Sequence, residues 1–160
     1  MPPVQELADG SPWLFAAGKF SPPANRCSRW FERRGQQAGY QRIAGVDEVG
    51  RGALFGPVVA AAVILDPATR IRGIQDSKKL RARERERLSE EIRRRAIAWS
   101  VGSVEAAEID RINIYQASRV AMRQAVLGLD PPAELVLADA MRLELDSPQI
   151  PIIHGDALSV

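Results

Sequence analysis

Residues 43–65 read IAGVDEVGRGALFGPVVAAAVIL: two apolar segments around a glycine-rich loop that holds two acids and an arginine. The first segment, Gln41 to Asp47, carries Ile43 and Val46 and predicts a strand. The second, Pro57 to Leu65, is a near-continuous apolar run that suits a strand buried on both faces, although its alanines leave a helix open. Asp66-Pro67 closes it. Neighbouring side chains on a regular strand point to opposite faces. Asp47 and Glu48 are therefore expected to share a ligand only if the chain leaves the strand there, which the glycines permit.

Outward from this stretch, Arg26 to Gln37 predicts a short helix ended near Gly39. Residues 1–25, with Pro2, Pro3, Pro12, Pro22 and Pro23, read as a poorly ordered tail. Arg81 to Arg95 is helical by composition. Ala96 to Val104 alternates like a strand, and Asn113 to Leu129 spaces Ala117, Val120, Ala121 and Ala125 like a helix. Leu135 to Ala138 and Ile150 to Ile153 are short strands that deliver Asp139 and His154-Gly155-Asp156. This order predicts one α/β domain over residues 26–160, a mixed sheet with flanking helices.

The 160 residues, 46% hydrophobic and 26% charged, exclude a wholly disordered chain. A lone cysteine, Cys27, excludes an intrachain disulfide and a cysteine metal cluster; it points to a reducing, cytoplasmic setting. The longest apolar run, residues 53–65, is 13 residues interrupted by Gly56 and Pro57. That is short of the ~20 needed to cross a bilayer, so no membrane partner is expected. The net charge of +2 is unevenly spread. Arg70 to Arg95 holds eleven Lys/Arg against five acids, and residues 130–160 hold six acids against one arginine. A basic segment beside an acidic one fits a polyanion on one surface and a cation on another; solvated faces are the plainer alternative.

Asp47 and Glu48 stand at a predicted strand end, and like charges held together call for a divalent cation or a proton. Oxygen-only ligands select Mg²⁺ or Mn²⁺. Asp139, also at a strand end, is a third candidate metal and catalytic ligand. Gly50 and Gly52 leave backbone N–H groups open to a ligand, and Arg51 supplies a fork suited to phosphate. Asp76-Ser77-Lys78-Lys79 offers a hydroxyl and ammonium groups to a phosphate. Structural alternatives remain: a turn in which Arg51 pairs locally, a capping Asp139 and a solvated helix start. The spacing Gly45-x4-Gly50 is not a nucleotide-binding P-loop, because Arg51-Gly52 follows instead of Lys-Ser/Thr. His154 is the sole histidine and cannot build a histidine metal site.

YQRIAGVDEVGRGALFGPVVAAAVIL, then DSKKL, INIYQASRVAMRQAV, LVLADA and IPIIHGDALS, in order from about Trp30 to Val160, resemble the bacterial ribonuclease HII family. The resemblance implies a ribonuclease H-like fold whose C-terminal part is missing here. It also implies endonucleolytic cleavage of RNA in RNA–DNA hybrids and at single ribonucleotides embedded in a DNA duplex, by a monomer. Products would carry 5′-phosphate and 3′-hydroxyl ends. By that resemblance Asp47, Glu48 and Asp139 bind Mg²⁺ or Mn²⁺, Gly50-Arg51-Gly52 touches the 2′-hydroxyl, and Ser77 and Lys78 lie near substrate phosphates. A fourth acid of the family, its covering helix and a substrate-stacking tyrosine would follow Gly155-Asp156. His154 stands where lysine is usual, and Arg81 where a capping serine is common. The expectation is therefore weak or absent hydrolysis and poor solubility for the 160-residue chain. The alternative function is a non-catalytic remnant that binds hybrids. Resolvase- or integrase-like phosphotransferases also gather acids at strand ends but should lack Gly50-Arg51-Gly52 directly after Asp47-Glu48.

Overall fold

The computed structural model describes residues 29–53, 55–75, 77–139 and 141–152. The tail expected over residues 1–25, Asp76 and His154-Gly155-Asp156 lie outside the described residues. Among those described, the chain forms a five-stranded sheet in the order β3-β2-β1-β4-β5. β1 (Ile43–Val49), β2 (Val58–Leu65) and β3 (Ala96–Val104) make an antiparallel meander. β4 (Leu135–Asp139) runs parallel to β1, and β5 (Gln149–Ile152) runs parallel to β4. The mixed α/β architecture expected from the sequence is the one observed.

One face of the sheet is covered chiefly by α4 (Ile114–Leu127) among the described residues, with Ile109 and Ile112 packed against the same core. Small side chains make this packing close. Ala60 and Ala62 of β2 and Ala98 of β3 share a core with Ala117, Ala121 and Ala125 of α4. The closest approach is at Gly102 of β3. A Cβ there would collide with the Ala121 carbonyl oxygen and lie 2.8 Å from the Ala125 nitrogen. The alanines of β2, which alone leave a helix open, are thus the strand residues that let α4 lie flat.

Among the described residues the opposite face is only partly covered. Phe31 of α1 (Trp30–Gln37) packs with Ile43, Leu135, Leu137 and Ile150. Leu88 of α2 (Ala82–Arg95) is buried further along. Between these helices Ala61 and Val63 line a trough that runs to Trp99 and Val101, both exposed. β2 is therefore not buried on both faces as its composition suggests. Its residues alternate between buried and more exposed, because α4 covers one side alone.

Two local features also differ from expectation. β1 does not stop at Asp47: its pairing with β2 continues through Glu48↔Ala60 to Val49↔Val59. A separate helix, α3 (Ala106–Ile112), precedes α4. The two are divided at Asn113, which takes φ +69° and caps α4 by accepting from the Gln116 N–H. Arg81 gives α2 no side-chain cap, as its chemistry dictates, but Glu84 reaches back to accept from the Arg81 N–H at 3.1 Å.

The Gly102 contact sets a measurable limit. Gly102→Ala is expected to destabilise the fold by about 1–3 kcal/mol through overpacking, read from urea unfolding of the purified chain. An unchanged midpoint would show that α4 can move away from β3.

Candidate active site

The C-terminal ends of β1 and β4 lie at the same edge of the sheet, and their register decides which side chains meet. Pairing runs from Ile43↔Leu135 to Val46↔Ala138. Asp47 and Asp139 come next on the two parallel strands, ~4.8 Å apart in the hydrogen-bonding direction. Both belong to the face that carries Ile43 and Leu137, and both line one cavity of about 270 Å³ with Gly45, Ala61, Val63 and Ile152. The lining is largely apolar, with Arg29 and Glu32 at its polar part.

This register is secured at the other end of the strands. The Glu134 carboxylate accepts from the Gln41 N–H at 2.7 Å and the Arg42 N–H at 3.1 Å, and pairs with the Arg42 guanidinium at 2.7 Å. In return the Glu134 N–H donates to the Arg42 carbonyl at 2.8 Å, and Arg42 Nε donates to the Pro132 carbonyl. The two backbone N–H groups hold the Glu134 carboxyl below its ordinary value of 4.5, with the Arg42 charge adding to the effect. Glu134 is a residue that sequence reading missed. Its signal is only an acid just before a strand, and nothing local connects it to Gln41.

Glu48 occupies a different place. With β1 regular through Val49, Glu48 projects to the α4 face, away from Asp47. Its side chain is 7% exposed. Oε1 accepts from Arg51 Nη1 at 3.1 Å, and Oε2 is buried without a hydrogen-bond partner. The expected departure from the strand at Asp47 does not occur, and the structure brings Asp47 and Asp139 together without Glu48. Among the described residues no three Asp, Glu, His or Cys side chains form a metal-binding group.

The turn that follows begins at Gly50, where φ is +107° and a Cβ would lie 2.9 Å from the Pro57 carbonyl oxygen. Only glycine fits both constraints. The Ala53 N–H closes the turn on the Gly50 carbonyl, with Arg51 and Gly52 at its tip. Ser77 and Lys78 lie in a 3₁₀ turn, exposed. Ser77 lines a second groove, which shares Ala61, Val63, Ile74 and Ile92 with the cavity of Asp47 and Asp139. Phe55, 91% exposed just beyond Gly52, is a further surface group at this edge. Its signal in the sequence is an aromatic ring inside a glycine-rich loop.

The meander, the parallel pair and the acids at adjoining strand ends define a ribonuclease H-like α/β fold. Residues 44–152 match the family model described as Ribonuclease HII, and the chain belongs to that family. A ribonuclease HII of Koribacter versatilis is 55% identical over 152 residues, 94% of this chain and 60% of that protein. One from Bacillus subtilis is 52% identical over 130 residues, 81% of this chain and 51% of its own length. The crystal structure of ribonuclease H2 from Pyrococcus horikoshii superposes with a TM-score of 0.63 at 25% identity, over 72% of this chain and 64% of that one. The chain thus spans about half to six-tenths of the length of these curated relatives.

Because Glu134 sets the β1–β4 register, Glu134→Gln is expected to cost about 1–2 kcal/mol at pH 7. The sign follows from the depressed carboxyl: the stabilisation is complete above pH 4.5 and is lost as pH falls through the lower folded-state value. Urea unfolding of both proteins at pH 7 and in steps below 4.5 should show the two midpoints converging in acid. A gap that persists at all pH values would remove the charge from the explanation.

Proposed function

We propose that this chain carries the carboxylate site of a divalent-metal-dependent endonuclease. It would hydrolyse the RNA strand of RNA–DNA hybrids, and single ribonucleotides in a DNA duplex, leaving 5′-phosphate and 3′-hydroxyl ends. The observation that carries the reading is that Asp47 and Asp139 each follow the last β1–β4 pair, Val46↔Ala138, and line one cavity, in a chain of this family.

The donor chemistry fits Mg²⁺ or Mn²⁺. Two carboxylates, Asp47 and Asp139, line one largely apolar cavity. Mg²⁺ commonly takes one or two carboxylates and completes its shell with water and substrate phosphate, so a closed three-ligand group is not required. Asp47 and Asp139 would hold the ion from one face of β1, while Glu48, on the other face, stays outside this pair. Such an ion supplies positive charge to the scissile phosphate and lowers the pKa of water.

The remaining work is positioning. The tip of the Gly50–Ala53 turn offers backbone N–H groups and the Arg51 fork to a ribonucleotide. The 2′-hydroxyl distinguishes RNA from DNA at a given position, and backbone groups can sense it whatever the base. Ser77 and Lys78, in the adjoining groove, would take a phosphate of the flanking duplex. The arginines of α2 would add sequence-independent attraction.

The test is cleavage of a duplex that contains one ribonucleotide, with Mg²⁺ or Mn²⁺. Asp47→Asn and Asp139→Asn should each lower the rate on the order of a hundredfold or more while leaving duplex binding in place. Cleavage that ignores either acid, or that proceeds equally on an all-DNA duplex, would overturn the assignment. Binding without cleavage by the unaltered chain would favour the hybrid-binding remnant.

A further inference from the structure

β3 is the outermost strand on its side of the sheet, paired with β2 alone among the described residues. On the face it shares with Asp47 it carries Trp99 and Val101, 46% and 53% exposed. A ring of this size normally goes to a core or an interface. The wall beside it is α2, and what that wall offers is positive charge. Among the described residues the charged side chains lining the groove are Arg85 and Arg93, with Ser77 and Ser89 next to them and no acid. The neighbouring acid Glu91 is taken up by Arg87 and Arg95. The Arg93 guanidinium lies 5.9 Å from the centre of the Trp99 ring, and its Nε donates to the Ser89 carbonyl at 3.4 Å. Arg85 is steadied by one bond from Nη1 to the Leu80 carbonyl at 2.7 Å. Each of these bonds uses one of the five N–H groups of a guanidinium.

We propose that the groove between α2 and β3 binds a single-stranded segment of nucleic acid, with Trp99 stacking on a base and Arg93 and Arg85 holding the adjoining phosphates. An indole beside guanidiniums offers a flat apolar surface and positive forks together, the pair of features that a base and its phosphate require. An apolar partner would cover the ring but strip water from two guanidiniums without replacing it; a polyanion satisfies both. The strand must be single, because a base inside a duplex already has its faces covered by its neighbours. The groove shares Ala61, Val63, Ile74 and Ile92 with the cavity of Asp47 and Asp139. Across two strand spacings and two residues of rise, Trp99 lies ~12 Å from Asp47 in the plane of the sheet. The proposal thus extends the nuclease reading to an unpaired strand running toward Asp47, and rests on that reading for this direction only.

The test is the binding of a labelled oligothymidylate of about a dozen nucleotides to the purified chain, without metal, read by fluorescence anisotropy. Trp99→Ala should weaken it roughly five- to hundredfold, the range for loss of one stacked base, and Trp99→Phe should keep most of the affinity. Arg93→Ala should flatten the plot of log affinity against log salt by about 0.7, one phosphate contact on a single strand. An abasic strand of the same length separates stacking from folding: the unaltered chain and Trp99→Ala should bind it alike. Equal losses by Trp99→Ala on the abasic and thymidine strands would overturn the proposal, as would an unchanged affinity for the thymidine strand. Self-association of the chain that depends on Trp99, seen by sedimentation while oligonucleotide affinity ignores Trp99→Ala, would give the groove to a second copy instead. The nuclease reading fails separately. A chain that never cleaves but shows these Trp99 effects keeps the single-strand site, whereas one that cleaves with no Trp99 effect loses it.

Discussion

Two carboxylates do not come together of their own accord. Asp47 and Asp139 line one cavity although they are far apart in the chain. Their adjacency is imposed from the far ends of β1 and β4, where Glu134 gathers the N–H groups of Gln41 and Arg42 and the Arg42 guanidinium. A one-residue slip of β4 would turn Asp139 to the α4 face and place Ala138 at the cavity. The clamp therefore decides the chemistry of a site several residues away. It costs little to build, because its charged carboxylate is satisfied by backbone groups that would otherwise lack partners at the strand entry.

The second constraint is the thinness of the layer between the sheet and α4. Gly102 and the alanines of β2, β3 and α4 bring helix and strand backbones close. The sheet edge that carries Asp47, Glu48 and Asp139 is fixed to this rigid contact through β2, which pairs with β1 along its whole C-terminal half. Among the described residues the other face carries a groove in which Ala61 and Val63 of β2 and Trp99 of β3 lie beside Leu88 and Ile92 of α2.

Much of this was legible in the letters. The alternation of β3, the short apolar runs that end at Asp139 and Ile152, and the glycines after Glu48 each signal an element through local chemistry. What escaped depends on partners distant in sequence. Whether β2 is buried on one face or two is decided by how many helices cover it, which its own residues do not encode. The extent of β1 was misjudged because Asp47-Glu48 looks like a loop opening, whereas pairing with Ala61 and Ala60 carries the strand through both. The break before α4 turns on a positive φ at Asn113, a conformation that asparagine tolerates but does not announce. Glu134 is invisible for the same reason as the register it sets: its partners lie some 92 residues earlier.

The continuation of β1 changes how the adjacent acids should be understood. In a regular strand Asp47 and Glu48 cannot point the same way, so their sequence adjacency is not a chelate. It divides negative charge between the two faces of one strand. Asp47 shares its face with Asp139, and the two line one cavity. Glu48 faces the helix side, where burial would make it intolerable without the arginine three residues on. The motif Asp47-Glu48-Val49-Gly50-Arg51-Gly52 thus splits its two acids between the faces of β1 and gives only the second of them a local arginine through a turn that begins at a positive-φ glycine.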